Sequence, residues 1–391
     1  MMQVLDSCDH IKACGGSIVN LLPNLVDFDC TDIQADTVLS RLRNGIPPHS
    51  VDGSVNPYRE RWPELRGKDL NNYNKSINVD LNESIQHCRL FLGVGDGAAA
   101  NIGSKCGVTQ SNSSGHRVAV TIGTSAAARV CIPLSINECP CTASISVPHG
   151  LFCYRVDKKR VVVGGALTDG GSAVEWARML LNLQSQKAFD ACLEKVLEHY
   201  NAKIPHLSVD SAQHTAAAGA VTMIPFLSGE RSTGFRGSAT ACISGITRET
   251  TPALILYGCL EAVTLRLGAI INLITEVCCV QQQRRPSVGN DDISRTILVA
   301  SGNALEQNSL WRQLIADCTG FNVIVDGDSH EGASRGVAVL IARNLQQSTL
   351  CEEILAVANE SQPDLEKESR WVIATLDQDN LINAVSHTWH K

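Results

Sequence analysis

The strongest constraint on the fold is a unit that recurs along the chain: a short apolar run, a bend of small residues, then a helical pattern. Arg89 to Val94 runs into Gly95-Asp96-Gly97, and Arg117 to Ile122 runs into Gly123-Thr124-Ser125. Val161 to Val163 leads toward Gly170-Gly171, and Thr296 to Ala300 meets Ser301-Gly302-Asn303. Short β-branched runs bounded by glycine read as buried strands. Trp176, Met179, Leu180 and Leu183 share one helical face, and Ser172 and Glu175 before them have capping-box spacing. Leu256, Leu260, Val263, Leu267, Ile270 and Ile274 mark a second helix from about Pro252 to Val277. The alternation predicts an α/β protein whose ligands sit at the carboxyl ends of strands, beside helix N-termini.

Finer features follow the same rules. Leu151 to Tyr154 and Val161 to Val163 flank Asp157-Lys158-Lys159-Arg160, which predicts a β-hairpin. Trp311 to Cys318 and Gly336 to Arg343 read as helices, and Asn322 to Val325 as a strand. The polar stretch from Gln281 to Asp292 reads as an exposed insertion, and Thr109 to His116 as a junction. The first 85 residues are irregular, and the last 40 read as one helix and a tail.

Composition removes several classes of function. The length of 391 residues suggests two domains, with core enough to need no staples. A net charge of −7 and only five Trp, five Tyr and seven Phe argue against a nucleic-acid partner. No apolar run reaches membrane-spanning length, and the start lacks the basic-then-apolar order of a signal peptide, so neither a membrane partner nor export is expected. The 16 cysteines are scattered without C-x-x-C spacing, which favours reduced thiols in a cytoplasmic setting. No histidine or cysteine cluster has metal-ligand spacing, so no metal ligated by side chains is expected. The sequence fixes no oligomeric state, and a homodimer is compatible with it.

Four elements could carry chemistry. Gly93 to Ala98 fits the permissive dinucleotide fingerprint, but no acidic residue follows before Glu138 to hold a ribose. An NAD-dependent oxidoreductase is therefore a distant alternative, and no P-loop motif exists. Asp96 is either a turn former or a general base facing a cleft, kept ionised by the helix N-terminus beside it. The amides and hydroxyls of Gly123-Thr124-Ser125 suit a β- or γ-phosphate, with an ordinary tight turn as the alternative. Gly170-Gly171 and Ser301-Gly302-Asn303 carry the same two readings. Arg231 beside Glu230 reads as a structural ion pair, and Trp176 and Trp311 as core residues.

Taken in order, these segments resemble the FGGY carbohydrate kinases, with a flavour closest to the gluconate kinase-like branch. Gly95-Asp96-Gly97-Ala98, Thr121 to Ser125, and Gly164 to Gly171 ahead of Trp176 match in order and spacing. Pro225 to Arg231 is similar to the family's Leu-x-Gly-Glu-Arg segment, and Ala241 to Ile246 to its second signature. Ser301-Gly302-Asn303 resembles the adenosine-side motif, and His330 to Ala338 the closing glycine-alanine helix. The resemblance implies an actin-like (ribonuclease H-like) ATPase fold of class α/β. It implies a remnant of the N-terminal domain over 1–112, a complete C-terminal domain over 113–345, and a helix and tail over 346–391. It also implies ATP and Mg²⁺ as cofactors and a sugar or sugar acid as substrate. Asp96 would be the catalytic base, with Gly97 beside the substrate. Gly123, Thr124, Gly170, Gly171, Glu175, Gly302 and Asn303 would contact the nucleotide. The family's opening Asp-x-Gly-Thr hairpin has no counterpart here, and Ser301 stands where a glycine is usual. A non-catalytic nucleotide-binding remnant is the alternative.

Overall fold

The computed structural model describes residues 95–107, 116–133, 146–157, 160–202, 221–283, 296–326, 332–344 and 357–389. The strand expected over 89–94, most of the junction over 109–116 and most of the insertion over 281–292 lie outside the described residues.

The elements in chain order are α1 (Asp96–Gly103), β1 (Arg117–Ile122), β2 (Ala126–Pro133), β3 (Phe152–Asp157), β4 (Arg160–Leu167), α2 (Gly171–Leu180) and α3 (Gln186–Asn201). They continue with β5 (Thr222–Ile224), β6 (Cys242–Ser244), α4 (Pro252–Gln283), β7 (Ile297–Ser301), α5 (Asn303–Gln307) and α6 (Ser309–Thr319). β8 (Asn322–Asp326), α7 (Gly332–Asn344), β9 (Val357–Ser361) and α8 (Glu368–Val385) complete the set. Seven strands form one mixed sheet in the order β3-β4-β2-β1-β7-β8-β9. β1, β7 and β8 are parallel, whereas β1, β2, β4 and β3 pair antiparallel in succession.

The sheet is covered on both faces, and the strand period sorts its residues between them. Along β2, Ala126, Ala128, Val130 and Ile132 face the large core, whereas Cys131 joins a smaller cluster on the opposite side. α4 is the spine of the large core. Leu260, Leu267, Ile270 and Ile274 are fully buried there against the sheet and neighbouring helices. Cutting one of these to Ala would cost about 2–5 kcal/mol. α4 is also long and apolar enough to cross a membrane, but 78% of its apolar window is buried inside the protein.

The opposite face carries α1 and α7, which cross in near backbone contact. A Cβ on Gly336 would lie 1.8 Å from the Ala99 carbonyl oxygen, and one on Gly103 would lie 1.9 Å from that of Gly332. No residue larger than glycine fits at either point without moving a helix.

The hairpin of β3 and β4, the strand of β7 and the helices of α4, α6 and α7 follow the sequence reading. Four points differ. After Gly123 the chain turns back as strand β2 rather than entering a helix, because Ala126 to Pro133 is paired on both sides by β1 and β4. α2 has no capping box: its N-cap is Gly170, and the Ser172 hydroxyl instead donates to Asp169 Oδ1 at 3.0 Å. The same helix buries Ala173, Val174 and Ala177, leaving Met179 and Leu180 exposed and Trp176 only half-buried. Glu230 pairs with Arg236, not with its neighbour Arg231, which points to solvent. Strand β9 and helix α3 carry too little periodic signal to be singled out beforehand.

Candidate active site

Three of the four small-residue bends come together. The β1–β2 turn is tied to the start of α2 by backbone bonds. The Gly171 N–H donates to the Gly123 carbonyl at 2.8 Å, Gly170 to Thr124 at 2.9 Å, and Ser172 to Thr124 at 3.1 Å. The first N–H groups of α2 are therefore consumed in holding this turn rather than left open, which corrects the expectation of a vacant helix end. Gly302 adjoins the same place from β7. Its φ is +88°, and a Cβ there would sit 2.5 Å from the Ile122 carbonyl, so only glycine passes this point without strain. Thr121 and Ser301, side by side on β1 and β7, share a hydroxyl hydrogen bond at 2.8 Å.

What these contacts leave outward is the turn itself. Gly123, Thr124 and Ser125 are exposed, and a Cβ on Gly123 would meet no atom within 4 Å. Among the described residues, the N–H groups of Thr124 and Ser125 have no hydrogen-bond partner. Open backbone donors at a strand end, beside a fixed helix N-terminus, suit phosphate oxygens. Gly170 is buried beneath the turn, whereas Glu175 is exposed one turn along α2 and pairs with Arg178 at 3.3 Å. Asn303 is exposed and its side chain accepts from Gln307 at 2.7 Å. No cluster of three or more potential metal ligands occurs among the described residues. Mg²⁺ fits such a site as an ion carried in on phosphate oxygens and water rather than caged by the protein.

Asp96 occupies the first position of α1, exposed, with its carboxylate accepting the Gly97 N–H at 2.7 Å. An anion there is favoured by the helix dipole. The fourth bend is thus not hydrogen-bonded to the other three; it lies farther along β2, across from Arg129. A Cβ on Gly97 would sit 3.1 Å from the Tyr154 hydroxyl and 3.2 Å from the Arg129 guanidinium carbon. Burial raises the Tyr154 pKa, with Arg129 opposing that and Asp96 adding to it.

Three residues that sequence reasoning passed over belong to this region. Arg129 is the one charged side chain in the strand Ala126 to Pro133, and that isolation was the available signal. Tyr154 stacks on Phe152 at 5.7 Å. Asp169 is buried and accepts from the Ser228 N–H at 2.7 Å as well as from Ser172, which fastens the Pro225-to-Gly229 segment to the base of α2. Cysteine nucleophiles are disfavoured in the core, where burial pushes Cys259, Cys278 and Cys318 up to about 12.

Comparison with known proteins decides the family. The family described as FGGY family of carbohydrate kinases, C-terminal domain, matches residues 118–345. The chain belongs to the FGGY carbohydrate kinases. A gluconokinase of Bacillus subtilis is 24% identical over 307 residues, covering 74% of this chain and 53% of that protein. Among solved structures, a gluconate kinase from Lactobacillus acidophilus superposes with a TM-score of 0.58 at 18% identity, covering 81% of this chain and 55% of that one. A ligand-bound xylulose kinase from the same organism gives 0.57 at 18% identity, with the same 81% and 55% coverage. These likenesses establish the actin-like ATPase fold of FGGY kinases. The FGGY chain studied here spans about half the length of the curated relatives it matches, 53% for the one from B. subtilis.

Proposed function

We propose that this protein transfers the γ-phosphoryl group of ATP to a hydroxyl of a sugar or sugar acid, as a gluconokinase-like enzyme of the cytoplasm. The observation that carries the reading is the convergence of the Gly123, Gly170 and Gly302 bends at one end of the sheet, with an exposed carboxylate farther along the same strand. Gly123 and Thr124 would hold the β- and γ-phosphates through their amides and the threonine hydroxyl. Gly170 and Gly171 brace that turn, Glu175 reaches the nucleotide from the first turn of α2, and Gly302 and Asn303 take the α-phosphate and adenosine side. Mg²⁺, when bound, would neutralise phosphate charge.

Asp96 acts as general base. It accepts the proton of the attacking hydroxyl as the new O–P bond forms and the bond to ADP breaks. Gly97, lacking a side chain, lets the acceptor approach that carboxylate. We further assign residues 1–112 to the remnant of the family's first domain, 113–345 to its C-terminal domain, and 346–391 to the closing helix and tail. A nearest-relative argument favours gluconate as acceptor, because the B. subtilis relative is a gluconokinase.

A transfer screen with γ-labelled ATP over gluconate, xylulose, ribulose, ribitol and glycerol tests the reading. Label on gluconate above all others is the expected result. Nucleotide binding with no transfer to any acceptor would overturn it in favour of a binding protein without chemistry.

A further inference from the structure

The side of the sheet that carries Asp96 holds a second polar group that the phosphoryl-transfer reading does not use. Arg129 lies on β2 opposite Gly164 of β4, and Gly164 in turn lies opposite Phe152 of β3. Residues paired directly across strands share a face, so Arg129, Gly164 and Phe152 form one row, and Cys131, Val162 and Tyr154 form the next. Gly164 leaves a gap in the first row. A Cβ there would lie 2.9 Å from Arg129 Cγ, so the arginine side chain lies over the space the glycine vacates. Gly97 closes the gap from above, equally short of room for a side chain.

The guanidinium held in this gap is incompletely satisfied. Its Nε is shut off from solvent and has no hydrogen-bond partner. Among the described residues, no carboxylate lies within ion-pair distance of Arg129, although Asp96 stands on the other side of Gly97. Leaving a shielded donor unmet costs about 1–3 kcal/mol, so its retention asks for a ligand that meets it. The planar fork of arginine matches the two oxygens of a carboxylate, and the Tyr154 hydroxyl supplies a further donor. A phosphate of the nucleotide is a poorer match. Arg129 is four residues along an extended strand from Ser125, roughly 13 Å from the phosphate turn at about 3.3 Å per residue.

Resting on the function proposed above, we infer that Arg129 and Tyr154 bind the carboxylate of a sugar acid, while Asp96 faces one of its hydroxyl groups. A polyhydroxy acid carries both partners in one molecule: an anion for the guanidinium and an alcohol for the base. The pair selects aldonic acids over neutral polyols and ketoses of the same length.

The test is calorimetric titration of the full chain with D-gluconate, with D-glucitol, which ends in an alcohol instead of a carboxylate, and with ATP. Gluconate should bind at least tenfold tighter than glucitol. Arg129→Met should erase that preference, Arg129→Lys should retain part of it, and Tyr154→Phe should reduce it several-fold, all with ATP affinity unchanged. Thermal melting identifies any unfolded variant, in which case Arg129→Lys and Tyr154→Phe decide. Equal affinity for the two acceptors, no binding of either, a preference that survives Arg129→Met, or a loss confined to ATP would each overturn the inference. ATP turnover with gluconate, measured on the same samples, separates the two claims. Turnover with an Arg129-independent preference leaves the kinase reading standing and removes this one. An Arg129-dependent preference without turnover does the reverse.

Discussion

The two ends of β2 are held by different means. At its start, the Gly123 turn is fixed by backbone bonds to α2 and by the close approach of Gly302. Its outward groups are themselves backbone amides, so the side chains around it are weakly constrained apart from the glycines. Farther along, Asp96, Arg129 and Tyr154 are side-chain groups, and Asp96 rides on an eight-residue helix whose place depends on the contacts of Gly103 and Gly336 with α7. One end is rigid because main chain meets main chain; the other depends on single atoms far away in sequence. A fold arranged this way can keep its nucleotide end through extensive sequence drift while its acceptor end changes with a few substitutions.

The largest effect expected from breaking this division is at Asp96. Asp96→Asn should lower kcat by about 10²–10⁴ while ATP affinity stays within about twofold. A parallel fall in ATP affinity, read by calorimetry, would mean that the two ends are not separable. Next comes the helix crossing. Gly336→Leu must push α1 and α7 apart and should cost about 3 kcal/mol in chemical denaturation. The folded fraction should still bind ATP but lose acceptor turnover, which sharpens the contrast directly. Third, Gly302→Ala meets both a positive φ and the Ile122 carbonyl, and should cost about 1–3 kcal/mol. Its kinetic signature should be a raised KM for ATP with the KM for the acceptor unmoved; the opposite pattern would misplace Gly302.

The smallest effect lies away from both ends. Glu261 is buried on α4 and accepts the Tyr257 hydroxyl, and burial raises its pKa above the usual 4.5. The folded state therefore holds a proton that the unfolded chain releases. Its contribution to stability is full below pH 4.5 and is lost as pH rises through the folded value. Glu261→Gln should flatten this slope, raising Tm by a few degrees at neutral pH and little near pH 4. A wild-type melting curve already flat over that range would remove the assignment, and neither catalytic end should respond.

Much of the nucleotide end was legible beforehand because glycine leaves a strong local mark. The bends at Gly123, Gly170 and Gly302 stand at strand ends in the sequence, and the folded chain gathers them. What the sequence concealed was the use of each bend. The spacing of Ser172 and Glu175 suggested a capping box, but α2 is capped by a neighbouring turn, a long-range contact with no local signature. The alanine-rich start of β2 has helical propensity, which pairing on both sides overrides. The acceptor end was half legible. Asp96 announces itself between two glycines, whereas Arg129 and Tyr154 gain meaning only when register places them around Gly164 and Gly97. Glu230 misled for the same reason: adjacent residues point apart, and its partner is six positions away.

The crossing of α1 and α7 also bears on how the protein is made. The surface that seats the Asp96 helix is not complete until residues 332–344 have been synthesised, more than two hundred positions later. A growing polypeptide on the ribosome would assemble the sheet and its phosphate-facing turns first, and only then lock the base in place. Premature hydrolysis of ATP by half-finished chains is thereby prevented, without any separate safeguard.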